Sequence, residues 1–134
     1  MKVQGACHCG DIHFEAEVDP AKVNLCNCTD CQVLTGSGFR VSVTVPSDTF
    51  QLNSGLPSIY IKTGDSGTQR AHAFCPRCGT PVYACAVTEN PPSYTLRVGT
   101  LKQRAELAPQ TRTWCRSALD WAQDVRTVPG RPKE

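Results

Sequence analysis

Residues 6 to 18 read "ACHCGDIHFEAEV": two thiols on a short turn, followed at once by a strict alternation. Ile12, Phe14, Ala16 and Val18 fall on one side of it, and Asp11, His13, Glu15 and Glu17 on the other. That period of two marks a half-buried strand. Further along, "FRVSVTVP" repeats the pattern, with Val41, Val43 and Val45 inward and Pro46 closing the strand. "PSIYIK", "PVYACAV" and "YTLRV" read as further strands, and the turn clusters "NSG", "TGDSGTQ" and "TENPPS" lie between them. Several short strands punctuated by Gly and Pro predict a mainly β domain.

Two helical pieces interrupt the strands. "TDCQVLTG" has Thr29 or Asp30 as N-cap and Gly36 as terminator, which makes about two turns. "RTWCRSALDWAQDV" carries Trp114, Ala118, Trp121 and Val125 at helical spacing, with the two tryptophans expected in the core. The tail from about residue 127, "TVPGRPKE", is expected to fray or lie over the surface. The 134 residues contain no internal repeat and no dividing linker, so a single domain over 1–134 is expected. A chain of this length buries roughly two-thirds of its unfolded surface.

Formal net charge is +2 with both signs mixed, and no basic block marks a nucleic-acid footprint. No apolar run approaches membrane-spanning length. The opening "MKVQGACHCGD" lacks an apolar signal core, so the cytoplasm is the expected location. In a reducing compartment the nine cysteines argue for metal and against disulfides.

Those cysteines fall as C-x-C (Cys7, Cys9), C-x-C-x-x-C (Cys26, Cys28, Cys31) and C-x-x-C (Cys75, Cys78), with Cys85 and Cys115 alone. In "FCPRCGTPVY", Pro76 stiffens the turn and Gly79 lets the backbone curl its N–H groups toward sulfur. Such a knuckle supplies half of a tetrahedral zinc site, and "ACHCGD" looks like the other half. One structural zinc on Cys7, Cys9, Cys75 and Cys78 would tie the first strand to the middle of the chain. The triplet then remains: three thiols leave a fourth position for water or substrate, as in a catalytic zinc. Cys31 would lie in the first turn of the short helix, where the dipole favours a thiolate. Spacing alone also permits Cys85 or Cys115 to close that shell, or Cys7 and Cys9 to join the triplet instead.

"GACHCGDIHFEAE", "LCNCTDCQVLTGSGF", "SIYIKTGDSGTQRAHAFCPRCGTPVY" and "LRVGTL" together resemble the glutathione-dependent formaldehyde-activating enzyme family, from about Gly5 to Trp121. The resemblance implies a zinc-binding β-tent fold of short antiparallel strands, with two Zn2+ per chain. The structural zinc would sit on Cys7, Cys9, Cys75 and Cys78, and the catalytic one on Cys26, Cys28 and Cys31. The implied activity is that of a carbon–sulfur lyase, joining glutathione and formaldehyde into S-(hydroxymethyl)glutathione. Two positions depart from the family pattern: Gln32 stands where members often have Arg, and "GTLKQRAEL" lacks an acidic pair that many carry after "GTL".

A thiol–aldehyde addition needs a thiolate and a polarised carbonyl, and an open zinc can serve either need. The expected partners are therefore a glutathione-like thiol and a small aldehyde, with no nucleic acid and no membrane. Arg40, Lys62, Arg70, Arg97, Arg112 and Arg116 are available to an anionic thiol, but each reads as an ordinary solvated charge. His8, His13 and His72 can relay protons, yet none is singled out as catalytic. Cys85 reads as a buried small hydrophobe. The competing function is a non-catalytic protein-binding module with both zincs structural.

Overall fold

The computed structural model describes residues 1–134. The chain forms ten strands: β1 (Lys2–Ala6), β2 (His13–Glu17), β3 (Val23–Cys26), β4 (Arg40–Pro46), β5 (Gln51–Ser54), β6 (Ser58–Thr63), β7 (Gln69–Phe74), β8 (Pro81–Ala86), β9 (Ser93–Arg97) and β10 (Thr111–Thr113). One α-helix, α1 (Thr29–Thr35), follows β3. No helix is long and apolar enough to cross a membrane.

Two sheets carry the fold. The smaller has the order β1-β2-β5, and the larger has the order β10-β3-β4-β9-β8-β7-β6. All pairings are antiparallel except that of β10 with β3. The alternation that opened the sequence behaves as expected. Ile12, Phe14, Ala16 and Val18 are buried and share one core with Val43, Val45 and Leu96 of the larger sheet. The core thus fills the space between the sheets. Gly5 faces Phe14 across the β1–β2 pair, and a Cβ there would meet the Phe14 ring, so the ring lies directly on the backbone of β1. Phe50, Tyr83 and Tyr94 extend this core, with Phe50 stacked on Tyr94 at 4.4 Å between ring centroids.

The helix α1 ends as expected at Gly36, whose φ of 64° is the left-handed conformation that glycine adopts without a Cβ penalty. Its N-cap is neither Thr29 nor Asp30 but Cys28, whose sulfur accepts from the Cys31 N–H at 3.3 Å. A soft acceptor stands in place of the usual hydroxyl or carboxylate because the C-x-C-x-x-C spacing puts a cysteine at the cap position.

The second expected helix does not form. Residues 111–113 are strand β10, and only short 3₁₀ turns follow, at Cys115–Ser117 and Asp120–Ala122. The open edge of β3 takes the backbone of this segment into the ladder, and the buried Asn27 accepts and donates there as well. Both the Asn27 N–H (3.0 Å) and its side-chain amide (3.1 Å) donate to the Thr113 carbonyl. Trp114 then turns the chain with a positive φ of 55°. Its apolar stripe finds no partner: Trp114 and Trp121 are 52% and 64% exposed, contrary to their expected place in the core. Ala122, packed on Gly38, is the side chain that docks. Beyond it the tail is exposed and holds no strand or α-helix, as its composition implies.

Candidate metal centres and the cleft between them

Cys7, Cys9, Cys75 and Cys78 converge, with all four sulfurs within 4.8 Å of one another. The C-x-C turn is built by the Gly10 N–H, which donates to the Cys7 carbonyl at 3.1 Å. The C-P-R-C turn is built the same way, by the Gly79 N–H to the Cys75 carbonyl at 2.8 Å, with Gly79 at a φ of 76°. The Ile12 N–H donates to the Cys7 sulfur at 3.2 Å, the kind of bond that stabilises a thiolate. Thr80 joins the two turns. Its hydroxyl accepts from the His8 N–H and lies 3.1 Å from the Cys78 sulfur. That hydroxyl is the first cause holding the Cys78 thiol down, to about 5. Outside, Arg77 and Asp11 pair at 3.1 Å across the two turns, an exposed brace that solvent screens.

The second group is the triplet. Cys26 ends β3, Cys28 caps α1, and Cys31 lies in its first turn; their sulfurs also lie within 4.8 Å of one another. Burial and the neighbouring Cys28 push the Cys31 thiol up to about 12 in the metal-free chain. Cys26 moves the other way. Burial opposes its charge, but the Cys28 N–H, the Thr113 hydroxyl and the two neighbouring thiols donate to it and lower it. Cys26 is thereby biased toward the thiolate, the form that binds a cation.

The donor sets fit a thiophilic metal. A tetrahedral ion with bonds of about 2.3 Å to sulfur sets neighbouring sulfurs about 3.8 Å apart. Cys7 to Cys9 is 3.6 Å and Cys9 to Cys75 is 3.7 Å. All nine cysteines are free. Neither lone cysteine joins the triplet, whose donor set stops at three. Cys85 is buried in the sheet, as read from its strand, and Cys115 is exposed with its sulfur toward the Arg112 carbonyl.

Residues around the triplet were not legible in its spacing. The Gln32 side chain donates to the carbonyls of Asn27 and Ser117, both at 2.9 Å, and so clamps the C-terminal segment onto the cysteine loop. Gln123 donates to the Asn27 side chain at 3.3 Å from the same segment. Lys62 of β6 reaches Asp30 of α1 at 2.8 Å, and Asp30 is the main reason its ammonium is held above its ordinary value. His8 and His13 are exposed. His72 is half-buried, and burial followed by the charges of Arg97 and Arg40 pushes it down to about 4.

Arg40 and Arg97 overturn their expectation as solvated charges: they are 6% and 8% exposed. They sit on the face of the larger sheet turned away from the core, because Val43, Val45 and Leu96 take the inner positions of the same two strands. Leu34, Arg40, Tyr60, His72, Phe74 and Arg97 line a cavity of about 400 Å3 there. It lies between the two cysteine groups. Arg40 is the cross-strand partner of Cys26, Leu34 follows Cys31 on α1, and Phe74 precedes Cys75.

A Halomonas elongata protein provisionally named a glutathione-dependent formaldehyde-activating enzyme is 29% identical over 87 residues, covering 62% of this chain and 55% of the relative. An uncharacterized lyase of Schizosaccharomyces pombe is 25% identical over 80 residues, covering 60% and 55%. The chain spans about half the length of the curated relatives it matches. The crystal structure of a Rhodobacter sphaeroides protein shares the fold, with a TM-score of 0.62 at 24% identity over 84% of this chain and 100% of that one. The family model described as glutathione-dependent formaldehyde-activating enzyme matches residues 2–117, and with all three cysteine motifs inside that span the chain belongs to this family.

Proposed function

We propose that the protein is a zinc-dependent carbon–sulfur lyase-type enzyme that adds glutathione or a related thiol to formaldehyde or another small aldehyde. The observation that carries this reading is a group of three half-buried sulfurs to which the chain brings no fourth ligand. Cys26, Cys28 and Cys31 would hold the catalytic zinc, while Cys7, Cys9, Cys75 and Cys78 would hold a structural one in a single domain over the chain. When bound, zinc at the triplet supplies Lewis-acid or thiol-activating chemistry at a fourth position. Three thiolates already give that site a net negative charge, which favours a soft sulfur over a carbonyl oxygen. The chain contributes the rest by position. Cys28 fixes the first turn of α1, Gln32 and Asn27 hold the loop that carries the sulfurs, and the Lys62–Asp30 pair braces α1 against β6. Holding thiol and aldehyde together in such a cleft lowers the entropic part of the barrier.

The test is zinc content on anaerobically purified protein, with the sulfur shell read by X-ray absorption during a glutathione titration. Two zincs per chain, one of them gaining a sulfur on addition of glutathione, is the expected result. Two zincs that both carry four chain sulfurs and ignore glutathione would overturn the enzymatic reading in favour of a binding module.

A further inference from the structure

Two buried guanidinium groups in one cleft call for a compensating charge. The ion pairs of the chain are Lys62–Asp30, Arg77–Asp11 and Arg126–Asp124, so no carboxylate of the protein pairs with Arg40 or Arg97. Arg97 donates from its terminal nitrogens to the Ser42 hydroxyl and to His72 Nδ1, each at 3.2 Å. The Nε groups of both Arg40 and Arg97 are buried and have no hydrogen-bond partner. A buried donor without a partner costs about 1–3 kcal/mol, and more when it belongs to a charged group. Arg70 adds a third cation beside them, with its guanidinium 3.4 Å from the Thr95 hydroxyl.

The His72 contact fixes a fourth donor. A guanidinium has hydrogens to give and no acceptor, so Nδ1 accepts and the ring proton resides on Nε2. Burial, followed by the positive charges around the ring, keeps it neutral near pH 7. The cavity of about 400 Å3 lies within the range of small-ligand pockets.

We propose that Arg40 and Arg97 form a carboxylate-binding subsite, with His72 as a supporting donor, that seats an anionic end of the thiol substrate beside the triplet. The choice of substrate rests on the thiol chemistry proposed above; the anion subsite itself rests on the two buried guanidinium groups. A planar carboxylate matches the fork of a guanidinium. Binding through this subsite would orient the substrate sulfur without contributing to the bond that forms.

The experiment follows the Nε–Hε signals of zinc-loaded, 15N-labelled protein, assigned with Arg40→Lys and Arg97→Lys. S-methylglutathione is titrated in, since it keeps both carboxylates and has no free thiol for the metal. Its dimethyl ester and propionate serve as separate probes. The expected result is a saturable shift of both signals with S-methylglutathione, at least tenfold weaker binding of the ester, and loss of the acid-over-ester preference in R97K. Signals that move with propionate but not with S-methylglutathione would support the subsite and remove glutathione as the substrate. Acid and ester acting alike on the wild-type protein, or both signals indifferent to S-methylglutathione and propionate, would overturn the subsite.

Discussion

The two cysteine groups differ in where they sit and in what surrounds them. Half of the group of four is welded into the core: Cys7 and Cys75 are 4% and 0% exposed and pack with Phe14, Val82 and Leu101, while Cys9 is half-buried and Cys78 exposed. The group of three lies at one end of a sheet strand and the start of a two-turn helix, and all three sulfurs are partly open to solvent. Its supports come from loops and from the C-terminal segment, not from the hydrophobic core. A closed donor set in the core suits a staple, and an incomplete set beside a cationic cleft suits chemistry. The proposed division of labour thus rests on one ligand type in two different surroundings.

The largest effect that can break this comparison is expected at the core group. Cys75→Ser removes a ligand from a site whose proposed zinc would contribute on the order of 10 kcal/mol of apparent binding energy, comparable to the whole stability of a domain this size. Far-UV circular dichroism during heating should show no cooperative transition. A variant that melts like wild type would mean that this metal is not what holds the sheets together. At the open group, Cys28→Ser should keep that transition within about 2 kcal/mol of wild type. It should lose one zinc of two and drop adduct formation at least a hundredfold. If C28S instead unfolds, the two groups are equivalent staples and the contrast disappears.

A smaller effect sharpens the cleft side of the comparison. His72 is held down to about 4 in the fold, against an ordinary value near 6.5. Its contribution to stability is therefore complete above about pH 6.5 and is lost as pH falls toward 4, because the unfolded chain takes up the proton first. For a half-exposed ring the loss is on the order of 1 to 2 kcal/mol. Urea unfolding of wild type and His72→Gln, compared at pH 7 and pH 5, reads it: wild type should lose more than H72Q on acidification, and equal losses would contradict the shift. The smallest effect belongs to Cys115. With its side chain exposed and outside both groups, Cys115→Ser should leave zinc content at two and the melting temperature within about 1 °C. A lost zinc would make it the fourth ligand after all.

Local features were readable because their causes are local. The alternation in "DIHFEAEV", the strand in "FRVSVTVP" and the Gly36 terminator depend on side chains within a few residues, and each appears where its pattern puts it. The helix expected over 112–125 failed because its rival was distant in sequence: the open edge of β3 and the buried Asn27 capture that backbone. The N-cap role of Cys28 is local, to Cys31 three residues on, and was missed for another reason: a thiol ranks low among capping side chains.

The sequence by itself determined that the protein is mainly β and that seven of its nine cysteines act in groups, because strand periodicity and knuckle spacing are short-range. Which groups they form was decided only by the tertiary structure, which brings the C-x-C turn onto the C-x-x-C turn and leaves Cys85 and Cys115 aside. It also decided the fate of the charges. Arg40 and Arg97 lie far apart in the chain and read as surface residues, yet neighbouring strands of one sheet bury them side by side on its second face. Burial and pairing depend on contacts between remote segments, and those exist only once the sheet has formed.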